Sequence, residues 1–192
     1  MHKPIPNIAI FASGSGSNFQ AIADAIQNKK LDATIALLVC DNPQAFVIER
    51  AKNLQIETLV LNPKNFSSKA EYEMFIGGKL RDLNVQLVVL AGYMRIIGPT
   101  LLAQFPNKII NIHPALLPSF PGAHGIKDAF EYGVKVFGVT VHFVDSGVDT
   151  GMIIDQESFK METPMTIEEV EEQIHKIEHQ IYPKVLQNLL HL

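Results

Sequence analysis

Apolar runs of strand length alternate with segments of helical period through most of this chain, an alternation that a parallel sheet covered by helices satisfies. Residues 5–12, 33–40, 56–61, 85–91 and 108–113 read as strands, and residues 18–29, 45–53, 69–83, 99–104 and 125–132 as the helices among them. The run at 85–91 is apolar almost throughout, which suits a central strand buried on both faces. After residue 132 the pattern changes: 136–144 and 152–159 are strands joined by a loop rich in Gly and Asp, which can turn the chain back antiparallel. A last helix over 167–190 opens with Glu168, Glu169, Glu171 and Glu172, as the helix dipole favours, and Pro183 is expected to kink or divide it. The expected fold is α/β: a doubly wound, mostly parallel sheet with an antiparallel carboxyl-terminal strand and a long carboxyl-terminal helix.

With 192 residues, no internal repeat and no linker, a single domain over 1–192 is the simplest organisation. Hydrophobic and charged shares of 47% and 19% are those of a globular chain and speak against disorder. A net charge of −4, with no long basic run, argues against a nucleic-acid binder. Cys40 is the single cysteine and ends an apolar run, so it reads as a small core residue in a reducing compartment. No segment is apolar over the roughly eighteen residues that a membrane span needs. The amino-terminal apolar patch is interrupted by Pro4 and Pro6 and leads into a glycine-rich loop rather than a cleavage site. A soluble cytoplasmic protein is expected.

Three segments carry groups suited to chemistry. In the strand ending Asn111-Ile112-His113-Pro114 the amide and the imidazole lie two apart, hence on one face, and the proline ends the ladder beside them. That puts both at a strand's carboxyl end, where open α/β sheets keep their ligand crevices. Asp149, in the loop after the next strand, adds a carboxylate, which completes a set able to move protons and steady an oxyanion. Each alone has a plainer reading, as a strand-end histidine, a turn asparagine and an Asx-turn acid.

The loop Ser13-Gly14-Ser15-Gly16-Ser17-Asn18 joins the first strand to the first helix, and its glycines, hydroxyls and helix amino terminus suit an anion. It lacks the lysine of a Walker motif and the third glycine of a dinucleotide loop, so a small phosphomonoester fits better. A dinucleotide stays open because Asp41 ends the second strand, and a glycine-rich helix cap without ligand is the plain alternative. Gly92 to Gly98, containing Met94, Arg95, Ile96 and Ile97, reads either as an ordinary strand-to-helix turn or as an apolar wall for a flat ring, with Arg95 reaching a carboxylate. The spacing of His113, His124, His142 and Asp149 matches no common zinc pattern; no metal is expected, and His142 reads as a packed or hydrogen-bonded core residue.

Taken together, Ser13 to Asn18, Leu90-Ala91-Gly92-Tyr93-Met94-Arg95, Asn111 to Pro118 and Asp145 to Gly151 closely resemble the phosphoribosylglycinamide formyltransferases of purine biosynthesis, in order and over nearly the whole chain. The resemblance implies a Rossmann-like formyltransferase fold, with residues 1–105 as a phosphate-binding half and 106–192 as a folate and catalytic half. It implies 10-formyltetrahydrofolate as cosubstrate and glycinamide ribonucleotide as acceptor, with Asn111, His113 and Asp149 catalytic. Gly16, Ser17, Asn18 and Glu178 then hold the ribonucleotide, and Lys69, Met94, Arg95, Ile96, Ile97 and Asn111 line the folate site. Lys69 stands where bacterial members commonly carry arginine, which keeps the charge without the bidentate fork. By the same resemblance Asp149 is expected to raise the His113 pKa. A monomer or weak homodimer without nucleic-acid or membrane partners completes the expectation.

Two other readings remain. Formyltetrahydrofolate hydrolases share the Asn-His-Asp set but typically carry an extra amino-terminal regulatory domain, not expected ahead of the first strand here. A non-catalytic nucleotide-binding module would use the glycine loop alone and leave His113 structural.

Overall fold

The computed structural model describes residues 4–191; residues 1–3 of the amino-terminal patch and residue 192, at either end of the expected domain, lie outside it. The chain runs β1 (Asn7–Ala12), α1 (Ser17–Gln27), β2 (Thr34–Cys40), α2 (Val47–Asn53), β3 (Thr58–Val60), α3 (Lys69–Asp82), β4 (Val85–Leu90), α4 (Pro99–Gln104), β5 (Ile109–His113), α5 (Gly125–Tyr132), β6 (Val136–Phe143), β7 (Ile153–Lys160) and α6 (Ile167–Leu190). Every expected element is present, with ends displaced by a residue or two. One short element escaped the sequence: a 3-10 turn at Pro63–Asn65, capped by the Asn62 side chain, which accepts from the Lys64 amide.

All seven strands share one sheet in the order β3-β2-β1-β4-β5-β6-β7. Pairings from β3 through β5 are parallel, and β5 with β6 and β6 with β7 are antiparallel, as the Gly- and Asp-rich connection anticipated. Period-two alternation loads both faces. In β1, Ile8, Ile10 and Ala12 join the core beneath α1 and α6, while Ala9 and Phe11 join the core beneath α3 and α4. Ile8, Ile10 and Phe11 are fully buried, each contributing about 1.5–3 kcal/mol of transfer free energy.

Helix ends follow local chemistry. Thr166 forms a capping box with Glu169 at the start of α6, and Gly133 closes α5 in the left-handed conformation at φ 84°. Of the two outcomes expected at Pro183, division does not occur: α6 runs unbroken through it. Tyr182, Val185 and Leu186 are buried around the proline, and the Tyr182 hydroxyl donates to the Leu90 carbonyl at 2.8 Å. This packing holds a turn that the missing N–H would weaken by about 3 kcal/mol in an unsupported helix.

Strand order reverses between β1 and β4, and the crevice of such a sheet opens at the carboxyl ends of the strands flanking that point. β5 extends past its neighbour: Leu90, the last residue of β4, pairs with Asn111, so Ile112 and His113 lie beyond the β4 ladder, paired only with β6, and the crevice opens beside them.

Candidate active site

Asn111 and His113 share the face opposite Ile110 and Ile112, which pack into the core under α6. The loop 145–151 carries Asp149 back over this strand end. It is tied internally by Asp145, whose Oδ1 accepts from the Gly147 amide at 3.0 Å and the Thr150 hydroxyl at 2.7 Å. Asp149 sits at φ 54°, a left-handed conformation that a residue with a Cβ adopts only when its surroundings hold it there. Its Oδ2 accepts from the Gly122 amide at 2.8 Å and stands 3.4 Å from His113 Nδ1.

His142 completes the cluster. It lies directly across the β5–β6 ladder from Asn111, with 3.2 Å between its Nε2 and Asn111 Nδ2 and 3.5 Å between Nε2 and Asp149 Oδ1. A carbonyl can only accept, so the 2.8 Å contact between His142 Nδ1 and the Phe143 oxygen puts the proton on Nδ1, and Nε2 accepts from the amide. Expected as a core histidine, His142 is buried and hydrogen-bonded, but its partners are site residues; only the strand register reveals this.

His113 Nε2 lies 2.8 Å from the Phe120 carbonyl, which puts its proton there and leaves Nδ1, beside Asp149, as the position that gains one. Asp149 does favour the charged ring as expected, but the net shift runs the other way. Burial of a ring only 3% exposed pushes the pKa below its ordinary value, outweighing the Phe120 carbonyl and Asp149, which favour the charged form; His142 adds to the lowering. The resting imidazole is therefore the more easily neutral one. Gly125 is packed against this ring, since a Cβ there would come within 3.0 Å of His113 Nε2.

The glycine-serine loop lies across the crevice. Gly16 takes φ 74° as the residue before α1, and a Cβ on it would strike Val47 Cγ2 at 2.4 Å. Among the described residues, no protein acceptor takes the amide N–H groups of residues 14–18, which leaves a helix amino terminus and its loop open to an anion. Asn18 Nδ2 donates to Glu178 Oε2 at 3.1 Å, while Asn18 Oδ1 is buried without a partner. Burial raises the Glu178 pKa against the lowering influence of Asn18 and His175. The folded state thus binds this proton more readily than the unfolded chain, and stability is lost as pH rises from 4.5 through the raised value. Glu178→Gln is expected to raise the melting temperature near neutral pH, with the gain shrinking as the pH falls toward 4.5; thermal melts across that range check it.

The segment after β4 forms the third wall. Met94 and Ile96 are 76% and 61% exposed, whereas Ile97 turns inward to the core, so the apolar surface rests on the first two. The far end of the wall is pinned by the buried Glu73 carboxylate, which accepts from the Gly98 amide at 2.5 Å and the Leu101 amide at 3.2 Å. Arg95 does reach a carboxylate as expected, but it is the chain's own Asp41, at 2.6 Å. Asp41 has both oxygens engaged, the other by Ser13, which removes the ground for reading it as a ribose-binding acid.

A cavity of ≈620 Å³ unites these walls, lined by Gly16 to Asn18, Met94 to Ile97, Asn111, His113, His142, Asp149 and Glu178. Lys69 does not line it. That lysine sits behind the wall in a second cavity of ≈410 Å³ that shares Tyr93 to Ile97, with its ammonium 3.9 Å from Glu73. Among the described residues, no group of three or more His, Cys, Asp or Glu is disposed to hold a metal ion, and no helix is long and apolar enough to cross a membrane.

Open loop amides and an amide-imidazole-carboxylate cluster facing one crevice of a doubly wound sheet are the parts that an enzyme acting on small ligands needs. Residues 6–186 match the formyl transferase family, and the chain belongs to it, among the phosphoribosylglycinamide formyltransferases. It is 52% identical over 184 residues to the phosphoribosylglycinamide formyltransferase of Bacillus subtilis, covering 96% of this chain and 94% of that protein. The crystal structure of glycinamide ribonucleotide transformylase 1 from Geobacillus kaustophilus superposes with a TM-score of 0.94 at 50% identity, covering 97% of this chain and 99% of that one. The chain is also 37% identical over 185 residues to the trifunctional purine biosynthetic protein adenosine-3 of Drosophila melanogaster, spanning 95% of itself and 14% of that protein.

Proposed function

We propose that this protein transfers the formyl group of 10-formyltetrahydrofolate to the primary amine of phosphoribosylglycinamide, a step of purine synthesis. The observation that carries the reading is the convergence of Asn111, His113 and Asp149 on one cavity that also takes in the open amides of residues 16–18. Those amides and the Asn18–Glu178 pair receive the phosphate and ribose; Met94 and Ile96 face the folate ring, and Lys69, behind the wall, meets the carboxylates of its tail. On this reading each ligand draws on both halves of the chain, since Glu178 serves the ribonucleotide and Met94 to Ile97 the folate.

The amine's lone pair attacks the formyl carbon, and the carbonyl π pair moves to oxygen. Asn111 donates to that oxyanion from its amide nitrogen. His113, neutral at rest because it is buried, takes the ammonium proton, and Asp149 steadies the imidazolium so formed. The collapsing intermediate expels the folate nitrogen, which recovers a proton from the histidine. No bond to the protein forms and no metal is needed.

The test follows folate absorbance with purified protein, with and without the ribonucleotide and in the presence of a chelator. Turnover only with the amine present, and insensitive to the chelator, is expected. Formate release without the amine would replace the reading with a hydrolase; binding of both ligands without turnover would leave a non-catalytic module. A cytoplasmic location and a monomer or weak homodimer belong to the same proposal, the latter checked by sedimentation.

A further inference from the structure

Asp41 immediately follows β2, and its side chain is only 8% exposed although it does not itself line the cavity that the proposed chemistry uses. Its Oδ1 accepts from the Ser13 hydroxyl at 2.6 Å and its Oδ2 from Arg95 Nε at 2.6 Å. Ser13 is the first residue of the anion loop and Arg95 belongs to the apolar wall, so one carboxylate holds both. The two segments are also joined directly. The Ser13 hydroxyl accepts from the Met94 amide at 2.9 Å, and the Ser13 amide donates to the Gly92 carbonyl at 3.1 Å. Asn42 adds a bond from its side chain to the Ser13 carbonyl at 3.3 Å.

This arrangement has an energetic consequence. Moving the wall outward while the anion loop stays in place would strip a nearly buried carboxylate of its charged partner, a costly loss, and would break the bond from the Met94 amide to Ser13. The two segments therefore hold their positions together, and a ligand seated against one fixes the place of the other.

We infer that Asp41 is a positioning residue that couples the two ligand sites, so that phosphoribosylglycinamide and folate each bind more tightly when the other is present. The coupling is reciprocal, because linkage requires the same factor for both ligands. It operates through Ser13 and Arg95 rather than by contact with reacting atoms, and it rests on the function proposed above.

The experiment is a binding cycle on the full chain: the Kd of phosphoribosylglycinamide measured by calorimetry without and with saturating tetrahydrofolate, which carries no formyl group to transfer. The protein is expected to bind the ribonucleotide about fivefold or more tightly when tetrahydrofolate is present, the lower end of common couplings. Asp41→Asn, which keeps shape but loses the charge facing Arg95, should reduce that ratio below about twofold while the Kd for the ribonucleotide alone changes by less than about threefold. Its kcat at saturation should stay within about threefold, with the loss appearing in both KM values. Asp41→Ser, which removes the carboxylate without touching the loop, should have the same effect and serves if Asp41→Asn does not fold. A ratio near one in the unmodified protein, or a full ratio in folded Asp41→Asn, overturns the inference. If the unmodified protein transfers formyl groups but shows no coupling, the coupling alone fails; if it does not bind the ribonucleotide at all, both readings fail.

Discussion

His113→Ala and Asp149→Ala are each expected to lower kcat by about 10²- to 10⁴-fold, the range contributed by a positioned acid-base group, while both substrates still bind. The reason is the local geometry. The ring position of His113 free to gain a proton faces Asp149 Oδ2 at 3.4 Å, and burial lowers the ring's pKa, which favours the neutral form that the proposed step starts from. Without the imidazole, the ammonium of the tetrahedral intermediate loses the base proposed to take its proton. Without Asp149, the imidazolium forms in a buried site with no countercharge, and the Gly122 amide also loses its acceptor. Because the two act as a unit, the double variant should be little worse than either single one. Steady-state folate absorbance at saturating substrates gives kcat, and calorimetry gives the binding constants. Turnover near the unmodified level in either variant sinks the assignment. Asn111→Ala should cost about 10²- to 10³-fold in kcat if its amide donates to the oxyanion.

Gly16→Ala is expected to raise the KM for the ribonucleotide about tenfold or more and to destabilise the fold by about 2–4 kcal/mol, combining left-handed strain with overpacking. At φ 74° an L side chain is strained, and its Cβ would stand 2.4 Å from Val47 Cγ2 and 3.1 Å from Val47 Cα. The neighbour cannot simply turn aside, because Val47 begins α2 and its amide donates to the Gly14 carbonyl at 3.1 Å. The loop must shift instead, and the amides it aims at the anion shift with it. The KM for folate and the kcat should change far less, which separates this effect from general damage. An unchanged ribonucleotide KM would show that the loop does not hold the phosphate.

The element sequence was legible because burial imposes a period on each segment: 85–91 reads as a central strand from its apolar run alone, and Val85–Leu90 is flanked by β1 and β5. The antiparallel turn after β6 was legible for the same reason, through Gly and Asp at 145–151. That Pro183 leaves α6 undivided was not legible, because the local cost of a proline is visible in sequence while the packing of Tyr182 and Leu186 that offsets it is not. Asn111 and His113 were legible as a pair through their spacing and the proline that follows. Asp149 was joined to them by the chemistry of its carboxylate alone, since nothing local says that its loop curls back over β5.

By itself the chain's order of residues determined the doubly wound sheet, the anion loop and the strand end that bears the amide and imidazole, all features governed by interactions between near neighbours. Tertiary structure alone decided that His142 stands across the ladder from Asn111, that Arg95 is held by Asp41, and that His113 titrates below its ordinary value despite its carboxylate neighbour. Register, distant ion pairing and desolvation are sums over parts of the chain far apart in sequence, and they acquire a sign only when folding brings those parts together.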